Sequence, residues 1–104
     1  MRMIETEKEF DELLKENPAV FVDFYADWCG PCKMLAPVVE ELSKEIPEVT
    51  FVKVNVDDLP ELAARYGIMS IPQVYIFRDG EVVGKMGGYR DAGGVRAFID
   101  ESVK

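Results

Sequence analysis

Two cysteines are present in the chain, and they stand as Cys29-Gly30-Pro31-Cys32. Thiols three positions apart lie about one turn apart on a helix, close enough to be joined as a disulfide. The residues that follow carry Leu35, Val38, Val39, Leu42 and Ile46 on one helical face, so a long amphipathic helix is expected to begin near Cys29 and to run to about Pro47. At a helix N-terminus the unpaired backbone N–H groups and the macrodipole favour an anion, here the thiolate of Cys29. A thiolate attacks a disulfide to give a mixed disulfide, which a neighbouring thiol resolves. Cys29 is thereby the expected nucleophile, and Cys32, held further into the helix, the expected resolving thiol. Gly30 has no side chain to block an approaching partner, and Pro31 fixes one φ angle and lacks an N–H donor.

Two other readings of the pair are open. A purely structural disulfide would close a loop so small that it removes little entropy from the unfolded chain. A zinc site would need two more ligands, and the sequence has no histidine and no further cysteine. Only carboxylates, or a dimer sharing two such pairs, could complete it. The absence of histidine also excludes His acid–base catalysis and Ser-His or Cys-His nucleophile pairs. No phosphate-binding glycine loop or dinucleotide fingerprint occurs, so no cofactor is expected, and electrons for redox work must come from a partner.

The elements that must position the pair can be read from either side of it. Ala19 to Tyr25 is apolar except for Asp23 and rich in β-branched and aromatic residues, as a strand covered on both faces would be. Before it, Thr6 and Glu9 form a capping-box pattern, and Phe10, Leu13 and Leu14 recur at helical spacing, predicting a helix from about Glu7 to Glu16 that Asn17-Pro18 closes. After the cysteine helix, in which Pro37 predicts a kink, come a second apolar strand from Val49 to Val56 containing Lys53, and a short helix from Glu61 to Tyr66 that Gly67 can end. Gln73 to Phe77 and Glu81 to Met86 are strands joined through Asp79-Gly80, a hairpin signal. Asp91 can cap a last helix bearing Val95, Phe98, Ile99 and Val103. The sum is an α/β fold: one mixed sheet, parallel and then antiparallel, with helices on both faces.

The 104 residues suffice for a single domain, 1–104, with one core. A net charge of -8 would repel a phosphate backbone, which argues against nucleic acid. No segment is apolar for long enough to span a bilayer, and Met1 to Phe10 looks like neither a secretory signal nor a transit peptide, so no membrane association, a cytoplasmic location and a monomer are expected.

Trp28-Cys29-Gly30-Pro31-Cys32-Lys33, with Val22-Asp23-Phe24-Tyr25-Ala26 before it and Ser70-Ile71-Pro72 and Asp79-Gly80 after it, resembles the thioredoxin family from about Phe10 to the end of the chain. The resemblance implies a thioredoxin fold and general protein-disulfide reductase activity, with disulfide-containing proteins as substrates and a thioredoxin-reductase-type electron donor. Cys29 and Cys32 match the family's nucleophilic and resolving cysteines, and Pro72 its cis-proline. Ile71 matches a residue whose backbone pairs with the incoming chain. Asp23 matches a buried carboxylate proposed to relay the proton of the second cysteine; in an apolar strand its pKa should rise towards neutrality. Lys53 matches a lysine near that carboxylate, and its charge would oppose the rise. Trp28, Pro31, Ile71 and Gly88 match a flat apolar contact surface. Three positions depart from the commonest pattern: Tyr25 where Trp is frequent, Gln73 where Thr is frequent, and Gly87 where a larger residue often stands. Protein oxidants and isomerases on this fold commonly carry His inside the CxxC, a place Pro31 takes here. A binding module with incidental cysteines is the alternative of a different class.

Overall fold

The computed structural model describes all residues, 1–104, in nine elements. In chain order they are β1 (Arg2–Met3), α1 (Glu7–Glu16), β2 (Ala19–Tyr25), α2 (Gly30–Glu45), β3 (Thr50–Asn55), α3 (Pro60–Arg65), β4 (Gln73–Arg78), β5 (Glu81–Gly87) and α4 (Ala92–Val103). The strands form one sheet in the order β1-β3-β2-β4-β5. β1 and β2 run parallel to β3, whereas β4 runs antiparallel to β2 and β5 antiparallel to β4.

β2 is central because both of its faces are apolar. Val20, Val22 and Phe24 point to one side and pack with Phe10, Leu13 and Leu14 of α1 and Leu62 of α3. Phe21 points to the other, among Leu35, Val39 and Leu42 of α2 and Val95 and Ile99 of α4. A period-2 pattern is invisible in such a strand, since Val20 to Phe24 are all buried. Phe21 stacks on Phe51 of β3, ring centroids 4.7 Å apart, and their Cα atoms are register partners. The same register sets Asp23 beside Lys53.

Helix ends follow their local chemistry. Thr6 caps α1 by accepting the Glu9 N–H at 3.0 Å, while the Glu9 carboxylate reaches back to the Glu5 N–H, one residue earlier than a standard capping box would take it. Asp91 caps α4 through the Gly94 N–H. α2 runs unbroken through Pro37, whose ring lies on the exposed side. Gly67, at φ +65°, follows α3 in the left-handed conformation that ends a helix. In the β4–β5 hairpin Asp79 and Gly80 both have positive φ, 51° and 83°, the requirement of a tight two-residue turn whose twist matches the strands. No helix is long and apolar enough to cross a membrane.

β1 is the element that sequence patterning does not reveal. It has two residues, too few for any periodicity, and is defined only by pairing Arg2 with Val52 and Met3 with Lys53. Its placement brings the start of the chain to the edge of the sheet next to the strand that bears Lys53.

Candidate functional site

β2 ends at Tyr25, and the chain turns through Ala26, Asp27 and Trp28 into α2. Cys29 is the N-cap of that 16-residue helix, with φ -87° and ψ 113°, outside helical geometry. Its Sγ accepts the Cys32 N–H at 3.2 Å, so the sulfur itself takes one of the N–H groups that the first turn leaves unpaired. Cys29 and Cys32 are joined as a disulfide, with their Cα atoms 5.2 Å apart. Both are nearly covered, 4% and 3% exposed. Gly30 and Pro31 between them are exposed, and a Cβ at Gly30 would meet nothing within 4 Å.

The second edge of the site comes from the segment before β4. The Ile71–Pro72 peptide bond is cis, and the Ile71 carbonyl oxygen lies 3.8 Å from Cys29 Sγ. Pro72 is buried, and its carbonyl accepts the Gly88 N–H at 2.9 Å. Gly88 takes φ +77°, a conformation that side chains rarely adopt, so the loop after β5 passes beside Pro72. The Ile71 N–H and C=O enter no backbone hydrogen bond. Ile71, Val56 and Tyr25 pack against Ala26, Cys29 and Cys32.

Trp28 is 71% exposed, so it belongs to the surface and not to the core. Its indole Nε1–H donates to Asp57 Oδ2 at 2.9 Å, and the Asp57 N–H in turn donates to the side-chain oxygen of Asn55 at 2.9 Å. Asn55 is one of two buried polar residues; the other is Asp23. Neither Asn55 nor Asp57 is singled out by the sequence. Their part depends on β3 ending beside the cysteine loop, and no local spacing records that. Other large apolar side chains exposed on the surface include Met34, Met69 and Tyr89.

Asp23 is 3% exposed and its Oδ1 has no hydrogen-bond partner. Removal from water disfavours the charged form and pushes its pKa up to about 6, with the positive charge of Lys53 acting in the opposite direction. No ion pair joins the two.

Two cavities lie away from the cysteine pair. A cavity of about 600 Å³ opens at the far end of β2, lined by residues including Asp11, Lys15, Pro18 and Asp79. A second, of about 240 Å³, lies between the C-terminal part of α2 and α4. Neither touches a cysteine.

The Thioredoxin family model matches residues 2–101 of the chain. The chain belongs to the thioredoxin family. Among curated relatives, a thioredoxin of Mycoplasmoides gallisepticum is 47% identical over 89 residues, 86% of this chain and 89% of that protein. Thioredoxin-1 of Saccharomyces cerevisiae is 40% identical over 87 residues, 84% of each chain. Among solved structures, Fasciola hepatica thioredoxin superposes with a TM-score of 0.92 at 39% identity, covering 98% of this chain and 99% of that one. Plasmodium falciparum thioredoxin gives a TM-score of 0.93 at 34% identity, covering 97% and 98%. The mixed five-stranded sheet with four helices is the thioredoxin fold, and this thioredoxin-family chain is a thiol–disulfide oxidoreductase with a redox-active cysteine pair.

Proposed function

We propose that this chain is a general electron donor to protein disulfides, a single-domain monomer working in the cytoplasm and re-reduced by a thioredoxin-reductase-type partner. In the reduced protein the Cys29 thiolate attacks one sulfur of a substrate disulfide. A Cys29–substrate bond forms, the substrate S–S bond breaks, and the other substrate sulfur leaves as a thiolate that takes up a proton. Cys32 then loses its proton and attacks Cys29 Sγ, closing the Cys29–Cys32 disulfide and releasing the second substrate thiol. Two electrons pass from the dithiol to the substrate.

Each neighbour has a part in this sequence. The N-terminus of α2 stabilises the Cys29 thiolate without any charged side chain at Gly30 or Pro31. Asp23 accepts the Cys32 proton: a carboxylate with a pKa near 6 is a stronger base than an ordinary one and is still mainly ionised at pH 7. Lys53 limits the rise, keeping Asp23 ionised near neutrality. Trp28, Gly30, Pro31, Ile71, Pro72 and Gly88 form the contact surface, and the unpaired Ile71 backbone offers a substrate segment a strand-like edge. The exposed Trp28, Gly30 and Pro31 beside the pair suit a protein segment lying across a surface.

The observation that carries the proposal is the free Ile71 edge standing 3.8 Å from Cys29 Sγ at the start of a long helix. Its test is a trapping experiment. Reduced Cys32→Ser protein is mixed with a disulfide-containing protein such as insulin, and the adduct is mapped by mass spectrometry. A stable mixed disulfide on Cys29 is expected, with none formed by Cys29→Ser. Equal trapping by both variants, or by neither, would overturn the assignment of roles.

A further inference from the structure

Asp23 and Lys53 are register partners on neighbouring parallel strands, a placement that sets opposite charges side by side on one face of the sheet. The structure holds them apart. Asp23 Oδ1 is unpartnered, and the Lys53 ammonium stands 5.5 Å from the centroid of the Tyr25 ring. That is within the roughly 6 Å at which an aromatic face attracts a cation. Side chains alternate along a strand, so Asp23 and Tyr25 share one face of β2, and Lys53, as the register partner of Asp23, stands on that same face of the sheet. Tyr25 is fixed in turn: it packs against the cluster formed by Ala26, Cys29 and Cys32, and its hydroxyl donates to Met3 Sδ at 3.1 Å.

We propose that Tyr25 is a positioning residue whose ring holds the Lys53 ammonium off Asp23, leaving the carboxylate unpaired and able to exchange a proton with the cysteine pair. Only the last clause rests on the proton-relay reading above; the placement of Lys53 does not. The other groups around the three residues leave Lys53 as the cation acting on Asp23. β4 sets Val74 opposite Asp23. β1 sets Met3 beside Lys53, while Arg2 is bonded to Glu9. α2 contributes the two sulfurs, its first-turn Lys33 being exposed. The loops after β2 and β3 contribute the exposed Asp27 and Asp58, whose charges act on the Tyr25 hydroxyl. Once the ring is gone, the ammonium is free to close on the carboxylate, and an opposite charge within 4–6 Å lowers a carboxylate pKa by about 1–3 units.

The test is the titration of the Asp23 carboxyl carbon by NMR in oxidised full-length protein, for wild type, Tyr25→Leu, Tyr25→Phe, Lys53→Met and Tyr25→Leu/Lys53→Met. The Asp23 pKa should fall by about one unit or more in Tyr25→Leu, stay near the wild-type value in Tyr25→Phe, which keeps the ring, and show no such fall when Tyr25→Leu is added to Lys53→Met. If Tyr25→Leu does not fold, Tyr25→Met fills the same space without a ring face. An unchanged pKa in Tyr25→Leu, or an equal fall with and without Lys53, overturns the proposal, as does a Tyr25→Phe fall as large as that of Tyr25→Leu. The pH profile of disulfide reduction is measured on the same variants. If Asp23 titrates as expected while that profile stays fixed, the positioning of Lys53 stands and the relay reading fails.

Discussion

Replacing Asp23 by Asn should make the folded protein more stable at neutral pH, and the gain should vanish in acid. Asp23 is 3% exposed, has an unpartnered Oδ1, and titrates at about 6 in the fold against 3.8 for an ordinary Asp. Between those two values the unfolded chain has released its proton while the folded chain retains it. The unfolded state therefore binds fewer protons there, and stability falls as pH rises through that window. Each pKa unit corresponds to about 1.36 kcal/mol, so the carboxylate costs the fold about 3 kcal/mol above pH 7. Asn occupies the same volume without titrating. Its own buried amide sets a constant offset, so the informative quantity is the change in the wild-type-to-variant difference with pH. Chemical denaturation of both oxidised proteins from pH 3.5 to 8 measures it. The difference should grow in favour of Asp23→Asn from about pH 4, level off above about pH 7, and change by about 3 kcal/mol in total. A difference that is flat across this range, or that moves the other way, would refute the claim that Asp23 is buried, charged and unpaired at neutrality.

Two further outcomes follow from contacts elsewhere in the structure. Asp57→Ala removes the acceptor of the Trp28 indole N–H and frees an exposed ring to leave its position beside the cysteines; steady-state kinetics on a protein disulfide should show KM raised several-fold, kcat nearly unchanged and the unfolding midpoint little altered. Gly84→Ala puts a Cβ into the Ser102 side chain and 3.1 Å from a Phe98 ring carbon, where α4 crosses β5 closely; overpacking of this kind costs about 1–3 kcal/mol, and denaturant unfolding should show that loss with disulfide reduction intact in the folded fraction.

The helix before β2, β2 itself and the turn at Asp79-Gly80 were legible because their signals are local. A cap, a helical apolar face, a run rich in β-branched and aromatic residues and a turn dipeptide each act within a few residues. The burial of Asp23 was legible for the same reason: a lone carboxylate in a strand apolar at every other position has no exposed face to occupy. What escaped reading depends on distant pairing. β1 exists only as an addition to the edge of β3. Asp57 matters only because its carboxylate meets an indole 29 positions away. The exposure of Trp28 was legible from the family resemblance and not from residue type, since an indole is most often covered; here it stands just before the helix N-terminus, at the surface. Val38 shares the helical spacing of the core residues of α2 but is only half buried, at the margin of the apolar face. The Lys53–Tyr25 contact joins two adjacent strands, and no pattern along either one encodes it.

The most direct test of the central claim is a redox titration of the Cys29–Cys32 pair. The protein is equilibrated with thiol–disulfide buffers across a range of potentials, free thiols are trapped by alkylation, and the two states are counted by mass, with and without a chelator. The expected result is one two-electron transition with a midpoint more negative than about -230 mV, on the reducing side of glutaredoxins and protein disulfide isomerase, and unaffected by the chelator. A midpoint near about -180 mV or above would make the chain a disulfide donor or isomerase instead of a reductase. Thiols that resist alkylation until the chelator is added would contradict the redox account and identify the pair as metal ligands.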